Sequence, residues 1–554
     1  MNNRKIQDLQ EEISQAAANY VADNQVVSLP FIGYECYLTT GNRLDFEKSY
    51  FSRRRQLTVL GLAYLLKKDQ QVKQLLEQVI WEVCNEFTWA LPAHLPVIGK
   101  TFAAASSTWL DLFAAETAQT LAELLELTDD AFSPLLQQRI KGEIDRRIFQ
   151  SFENKAWDWE EKENNWSAVI GGSIEICALA ILPKNSSQQK KIIQRLDKAM
   201  QSYLRGFGSD GVCVEGLGYW SYGFGYYIYY AEKLARMLGN YSYLDHKKVK
   251  KIAAFPYYVL VNKQDFVPFS DYSAVQPPSG LLNFCHHYFQ LPIPKLATMN
   301  ALDFDPCYRF APLYRNLIWK KPTISNQQTK TIDHYFPDAQ WWVVRKPNQL
   351  FFAAKGGSND ESHNHLDIGH FVFGTPSELF LTDLGAGEYT KDYFDEEKRY
   401  HIFPCSADSH SVPCINGTKQ AVGNVSAKGV QANHQFSLQL AQAYPAGKIH
   451  SFERCFKLLE TTLTIQDTFL FEQKQNRIIE NFITNYLPKI VSNRVILTGK
   501  KAQCTLIMPT NNLTYISQVY KDHQGKDQVT YQIQATYQTK QQAKITTKLT
   551  VDLL

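Results

Sequence analysis

The hydrophobic and polar positions follow two different periods along the chain. In the first part, apolar residues recur at helical spacing, as Val72, Leu75, Leu76, Val79 and Val83 do within a segment rich in Lys, Gln and Glu. The segments 168–182 and 190–205 repeat this spacing and are separated by a Pro-Lys-Asn-Ser-Ser turn. This pattern predicts a series of packed amphipathic helices.

The period changes near residue 322. Trp-Trp-Val-Val-Arg at 341–345 and Leu-Phe-Phe-Ala-Ala at 350–354 are short apolar runs bounded by turn residues, which is typical of strands. Between Val529 and Tyr537, apolar residues alternate with Thr and Gln. A chain of 554 residues is also too long for a single core. We therefore predict an all-helical domain over residues 1–322 and an antiparallel β domain over residues 323–554.

Composition and charge exclude several classes of partner. With 58 basic and 55 acidic residues, the net charge of +3 does not favour nucleic acid or a membrane surface as the ligand. No apolar run is long enough for a spanning helix, and the N-terminus has no apolar core like that of a signal peptide. The ten cysteines lack metal-type spacing. We therefore expect a cytoplasmic location.

Asn164-Asn165-Trp166 follows an aromatic, acidic stretch and precedes a run of small residues. Asn is a good helix N-cap, which is one interpretation of this motif. The other is a side-chain amide that donates a hydrogen bond to a substrate carboxylate.

Residues 209–230 are crowded with aromatic rings, and Gly216 and Gly218 stand just before Tyr219. A buried aromatic helix explains most of the rings. It does not explain the two glycines, which destabilise helix interiors and are typical of a backbone held close to a ligand.

His363, His365 and Asp367 occupy alternate positions, which a strand would place on one face, with His370 on the other. Buried imidazoles and carboxylates need partners, so this grouping indicates a functional cluster. Asp383 and His410, further along, could complete a three-residue zinc set with His365. A His/Asp cluster linked only by hydrogen bonds is the alternative.

Together these motifs resemble the heparinase II/III-like polysaccharide lyases over roughly residues 150 to 470. The segments that carry the resemblance are NNW, DGVCVEGLGYW, SHNHLDIGHFVF with LTDLGAGEY, SHSVPCINGTKQ and ERCFKLLETTLTIQD. The resemblance implies an incomplete (α/α) toroid followed by an antiparallel β-sandwich of layered sheets.

The resemblance also implies site roles. Asn165 would neutralise the substrate carboxylate, Tyr219 would be the catalytic acid/base, and His363 would be the partner base or neutraliser. A structural zinc ion would be held by His365, Asp383 and His410. We also expect substrate contacts from Asn164, Trp166, Glu215, Trp220 and Arg54.

The implied reaction is β-elimination on an anionic, uronate-containing oligosaccharide or polysaccharide, with glycosaminoglycans the first expectation and alginate-like polyuronates the second. Whether Tyr219 or His363 removes the C5 proton depends on the epimer of the uronate. The sequence is compatible with either residue as the base and with either epimer. Two other function classes remain: an (α/α)-toroid glycoside hydrolase with paired carboxylates, and a non-catalytic glycan-binding protein.

Overall fold

A computed structural model describes residues 6–129, 131–274, 276–292, 300–319 and 330–554. The chain divides into two compact units. The helical unit comprises Met1–Phe207, Tyr219–Ala253 and Val275–Ile324, and the sheet unit comprises Gly208–Gly218, Ala254–Ala274 and Ser325–Leu554. The predicted domain boundary at residues 322 and 323 lies outside the described residues.

Helices follow one another through the first part of the chain, as the helical spacing predicts. Val72, Leu75, Leu76, Val79 and Val83 form the buried face of α4, and Asp69 caps its first turn by accepting from the amides at 71 and 72. The helices are α1 Ile6–Asp23, α2 Phe31–Thr40, α3 Leu44–Lys67, α4 Gln70–Cys84, α5 Leu112–Thr128, α6 Pro134–Ile144, α7 Gln150–Glu153, α8 Asn165–Ile181, α9 Ser187–Arg205, α10 Leu217–Tyr219, α11 Gly225–Leu238, α12 Lys247–Tyr258, α13 Ser279–Phe289 and α14 Phe310–Ile318.

Strands follow the helices, apart from one short early hairpin. They are β1 Val97–Ile98, β2 Thr101–Phe102, β3 Ile332–Phe336, β4 Trp341–Lys346, β5 Leu350–Lys355, β6 Phe371–Thr375, β7 Glu378–Leu381, β8 Cys414–Ile415, β9 Lys428–Ala432, β10 Gln435–Gln439, β11 Ile449–Leu459, β12 Thr462–Phe471, β13 Asn476–Thr484, β14 Lys489–Val491, β15 Arg494–Thr498, β16 Ala502–Ile507, β17 Leu513–Lys521, β18 Asp527–Thr539 and β19 Gln542–Leu553.

In the sheet unit these strands form three antiparallel sheets. A five-stranded sheet has the order β3-β4-β5-β6-β7, a four-stranded sheet the order β17-β18-β13-β8, and an eight-stranded sheet the order β14-β15-β16-β19-β12-β11-β10-β9. Ile533 and Ala535 on β18 are buried at alternate positions, as their sequence pattern predicts, and Leu463 and Ile465 on β12 are buried in the same way. Their side chains belong to one apolar core.

One local prediction is wrong. Residues 361–370 form an irregular loop between β5 and β6 instead of a strand, so His363, His365 and Asp367 do not share a strand face. The reason is local, because Gly369 and His363 both have left-handed backbones, with φ of 87° and 57°, which a strand cannot contain.

No described helix combines the length and the apolar character that crossing a bilayer requires.

Candidate functional site

A buried carboxylate, Asp271, lies at the centre of a polar cluster in the sheet unit. It accepts hydrogen bonds from the Tyr393 hydroxyl at 2.6 Å, Arg399 Nη2 at 2.8 Å, His363 Nδ1 at 2.8 Å and His365 Nε2 at 3.0 Å. Burial alone raises the pKa of Asp271, but the Arg399 guanidinium and the two imidazoles outweigh burial and hold this pKa well below its usual range. Asp271 is therefore an ionised hub that orients four side chains.

Asp271 determines which ring nitrogen of His363 carries a proton. Because a carboxylate only accepts hydrogen bonds, Nδ1 donates and the lone pair of the neutral ring lies on Nε2. The side chain of His363 is 16% exposed, so part of it reaches the surface. Its backbone has φ of 57°, a conformation that costs a non-glycine residue about 1–3 kcal/mol and is typical of functional sites. His363 thus presents an oriented basic nitrogen.

Glu215 lies close enough to His363 for their charges to interact. Burial raises the pKa of the Glu215 carboxyl, and the His363 charge and a hydrogen bond from Ser362 oppose this effect. Oxygen Oε1 of Glu215 is buried and makes no hydrogen bond within the described part of the chain. The predicted contact of Glu215 with substrate stays a prediction.

A group that could hold a metal ion adjoins the Asp271 hub. One ligand atom from each of His365, Asp383 and His410 lies within 4.8 Å of the others, and all three residues are buried. The Nδ1 of His365 is 3.3 Å from the Nε2 of His410. Two nitrogens bound tetrahedrally to zinc at about 2.0–2.1 Å would be about 3.3 Å apart. The spacing of these two nitrogens therefore fits a zinc ion.

Hydrogen bonds on the far side of each ring support this fit. His365 uses Nε2 toward Asp271, and the Nδ1 of His410 is 2.8 Å from the carbonyl oxygen of Ser406. Both arrangements place a lone pair on the nitrogen that faces the cluster, as metal-bound histidines require. Burial lowers the pKa of His365, but Cys405 and Asp271 raise it to about 10, so a proton between the two rings is the metal-free alternative.

Asp383 has an unsatisfied oxygen in this cluster. Its Oδ1 accepts from the Gly385 amide at 2.9 Å, whereas the buried Oδ2 makes no hydrogen bond among the described residues. Burial raises the pKa of Asp383 to about 7 and lowers the pKa of His410 to about 3. A cation among these groups would stabilise the ionised carboxylate and the neutral ring together.

Two neighbours of the cluster have places that the alternating pattern did not predict. Both oxygens of Asp367 accept from the buried Lys355 ammonium at 2.8 Å, so Asp367 belongs to an ion pair and not to the histidine group. His370, expected on an opposite strand face, is fully buried with Nε2 3.4 Å from Asp383 Oδ2. Its Nδ1 accepts from the Ser411 amide, so Nε2 carries the proton.

In the helical unit, the amide motif begins α8. Asn164 is the N-cap and accepts from the Trp166 amide at 3.1 Å, which confirms the capping interpretation for this residue. Asn165 occupies the first helical position and is only 3% exposed, and its Oδ1 makes no hydrogen bond within the described residues. A Cβ on Gly223 would lie 3.1 Å from Asn165 Cβ, so that glycine allows the close approach. The Trp166 ring is half-buried, 5.2 Å from that of His94.

Tyr219 ends the short helix α10 and is half-buried. A π-helical turn, Trp220–Phe224, follows it directly, and such turns often occur at functional sites. Gly216, before it, has φ of 102° and would place a Cβ 3.3 Å from the carbonyl oxygen of Phe269. A neighbouring protein backbone therefore requires a glycine at this position. The sequence interpretation had attributed this requirement to a ligand.

Two of the predicted substrate contacts have structural places instead. The Trp220 ring is fully buried, with its indole N–H donated to the Ile252 carbonyl at 2.7 Å. Arg54 is buried in a bidentate ion pair with Glu86 at 2.8 Å, and its guanidinium stacks 4.0 Å from the centre of the Tyr50 ring. The core of the helical unit encloses the Trp220 ring, whereas the Arg54 side chain is 9% exposed, and the predicted contacts of both with substrate stay predictions.

Sequence reasoning missed Asp271, Tyr393, Arg399 and Cys405. None of them stands in a motif with chemical spacing, and Arg399 lies in a charged stretch that is typical of a solvated surface. Tertiary structure alone brings them together, because 122 residues separate Asp271 from Tyr393.

No protein-family model matches the sequence, and a search of curated proteins gave no match. Solved structures do show a shared fold. Heparinase III superposes with a TM-score of 0.64 and 13% identity over 99% of this chain and 92% of that one. The heparan sulfate lyase HepC from Pedobacter heparinus gives 0.64 and 11% over 99% and 84%. A chondroitin AC lyase mutant from Streptomyces coelicolor gives 0.51 and 9% over 98% and 79%. The predicted fold class is confirmed.

Proposed function

We propose that this chain is a polysaccharide lyase that cleaves uronate-containing glycans by β-elimination, with glycosaminoglycans as the substrate class. It shares the fold of solved structures named as heparan sulfate and chondroitin lyases. The observation that carries the proposal is the Asp271–His363 pair, in which a buried carboxylate orients a partly exposed imidazole in a chain of that fold.

The chemistry explains why these residue types are needed. Eliminating across C4–C5 of a uronate requires removal of a weakly acidic C5 proton beside an ionised carboxylate. Donors aimed at that carboxylate stabilise the charge that develops in the transition state, and we assign this role to Asn165. Tyr219 protonates the leaving O4, because its phenol hydroxyl carries a proton that it can donate.

His363 takes one of two roles, depending on the epimer of the uronate. Where the proton and the leaving oxygen depart from opposite faces, His363 is the base and Tyr219 the acid. Where they depart from the same face, Tyr219 serves as both and His363 assists in neutralising the carboxylate. Comparing turnover of glucuronate-containing and iduronate-containing substrates by His363→Ala would separate the roles, because loss confined to one epimer identifies His363 as the base for it.

His365, Asp383 and His410 would hold a zinc ion, supported by their orphaned carboxylate oxygen and by the spacing of their two ring nitrogens. Bound there, zinc would tie separate segments of the sheet unit together and supply a fixed positive charge. His365 also donates to Asp271, which holds His363, so the metal ligand and the candidate base share one carboxylate. A cytoplasmic location stays a prediction.

The test is a panel of heparan sulfate, hyaluronan, chondroitin and alginate, each incubated with the protein. Elimination gives a 4,5-unsaturated uronate that absorbs ultraviolet light, whereas hydrolysis gives new reducing ends without that absorbance. Unsaturated product from a glycosaminoglycan supports the proposal. Unsaturated product from alginate alone would show that the substrate class is alginate-like polyuronates and not glycosaminoglycans. New reducing ends without unsaturated product would show that the reaction is hydrolysis.

A further inference from the structure

Lys155 lies against two tryptophan rings in the helical unit. Its ammonium nitrogen is 3.6 Å from the centre of the Trp157 ring and 4.3 Å from that of Trp109. The two rings are 5.0 Å apart and nearly perpendicular, at 74°. Both distances are within the range in which a cation is attracted to a ring face. The three side chains therefore form a corner with two aromatic walls and one positive charge.

The Lys155 ammonium forms no salt bridge within the part of the chain that the structure describes. Within the described residues, Lys155 makes neither an ion pair nor a side-chain hydrogen bond, although acidic residues are common in the surrounding sequence. Partial burial lowers the pKa of Lys155, and the nearby charge of Asp158 opposes this shift. By contrast, Arg195 of α9, which also contacts this segment, is paired with Glu160 at 2.6 Å. Lys155 thus retains an unused positive charge.

The two tryptophans differ in what they leave available. Trp157 is 7% exposed and donates its indole N–H to the Ser151 carbonyl at 3.1 Å, so its ring is held in place. Trp109 is half-buried, and its indole N–H meets no acceptor within the described part of the chain. The Trp157 ring supports the corner, and the Trp109 ring keeps part of its surface exposed together with an indole N–H donor.

The same segment leads to the first turn of α8. The Ser167 hydroxyl on α8 donates to the Trp159 carbonyl at 2.8 Å, which holds the segment against the helix. Lys162 lies 5.0 Å above the Trp166 ring, next to Asn165, so a lysine again lies on a tryptophan. The nine residues from Trp157 to Asn165 reach at most about 28 Å between their end Cα atoms, a length of a few sugar units.

We propose that Trp109, Lys155 and Trp157 form a binding subsite for an anionic sugar unit of the glycan, remote from the bond that is cleaved. The C–H face of a sugar ring stacks on the Trp109 indole, and the Lys155 ammonium binds a sulfate or carboxylate. This subsite rests on the proposed lyase function and adds to it a preference for chains long enough to reach from Asn165 to Lys155.

The experiment measures binding in the Tyr219→Phe background, so that no glycan is consumed. Heparan sulfate and hyaluronan tetrasaccharides and dodecasaccharides are titrated calorimetrically against Lys155→Gln, Trp109→Ala and Lys68→Gln. The last is the matched control, because Lys68 lies 4.9 Å from the single ring of Tyr64 in the same unit. We compare the variants on whichever dodecasaccharide the Tyr219→Phe chain binds more tightly. Lys155→Gln and Trp109→Ala should bind it about tenfold more weakly. Their affinity for the tetrasaccharide, and the dodecasaccharide affinity of Lys68→Gln, should not change.

In the active chain, the same two substitutions should raise KM for polymer and leave kcat unaltered. Equal dodecasaccharide affinity of Lys155→Gln and Lys68→Gln would overturn the subsite, and so would a background chain that binds no dodecasaccharide. A chain that forms no unsaturated product but loses dodecasaccharide affinity on Lys155→Gln would refute the lyase proposal and keep the subsite. The two proposals therefore fail separately.

Discussion

Replacing Asp271 by asparagine removes the negative charge on which Arg399, Tyr393, His363 and His365 converge. The side chain of Asp271 is fully buried, and that of Arg399 is only 10% exposed. Breaking a buried ion pair by neutralising one partner typically costs about 3–5 kcal/mol, because the remaining charge is left without compensation. In the variant, the Arg399 guanidinium still donates a hydrogen bond to the carbonyl oxygen of Asn364, at 3.0 Å. We therefore expect a loss of unfolding free energy at the lower end of that range.

The same substitution should impair catalysis through the orientation of His363. Where the amide nitrogen of asparagine faces Nδ1, it donates, and the proton of the ring moves to Nε2. Nε2 then carries the proton and can no longer accept one. In hydrolases whose histidine is oriented by an aspartate, the corresponding change lowers kcat about 10⁴-fold. We expect a loss of about 10²–10⁴-fold on substrates for which His363 is the base.

The stability effect should depend on pH in a defined direction. The folded pKa of Asp271 is held well below its ordinary value by Arg399 and the two histidines, against the effect of burial. Its contribution is therefore present above the unfolded pKa of about 3.9 and is lost as pH falls toward the lower folded value. The difference in unfolding free energy between the unmodified chain and Asp271→Asn should be largest near neutrality and should shrink below about pH 4.

The assay combines urea unfolding at several pH values with initial rates of product formation. Asp467→Asn is the control, because Asp467 forms a buried ion pair with Arg454 at 2.6 Å in the same unit and does not contact His363. It should lose stability and keep its kcat. If Asp271→Asn has the same kcat as the unmodified chain on both uronate epimers, this carboxylate does not have the role assigned to it.

Three other outcomes are expected. Tyr219→Phe removes one hydroxyl and should abolish elimination with unchanged unfolding, and retention of more than about a tenth of kcat would contradict its role as acid. His365→Ala should lose a zinc ion found by metal analysis in the unmodified chain and should melt at a lower temperature, whereas an active, metal-free chain would exclude the ion. Burial raises the pKa of Glu175, fully enclosed in α8, well above its ordinary value, so its contribution to stability is present below the unfolded pKa of about 4.3 and is lost at higher pH. Glu175→Gln should therefore flatten the decline of unfolding free energy between mildly acidic and alkaline pH, and an unchanged slope would contradict this assignment.

Periodicity predicted the order of the chain, helices first and strands after, and several individual elements. The apolar spacing of α4 and the alternation in β12 and β18 depend only on which face of an element is buried, and this is repeated locally along the chain. Periodicity gave the wrong result for the loop at residues 361–370. Its alternating polar residues have the spacing of a strand face, but the backbone turns at His363 and Gly369.

For the candidate site, the sequence by itself determined which residue types take part. They are two histidines close in sequence, a carboxylate and a third histidine further along, an asparagine at the start of a helix and a tyrosine that follows two glycines (His363, His365, Asp383, His410, Asn165 and Tyr219). It predicted His365, Asp383 and His410 as one group, and the structure brings these three together. Only the tertiary structure decided how the group works. Asp271 joins His363, His365 and Arg399 across 92 to 128 residues of chain. Such contacts form between segments whose local patterns are independent, so no spacing along the chain records them.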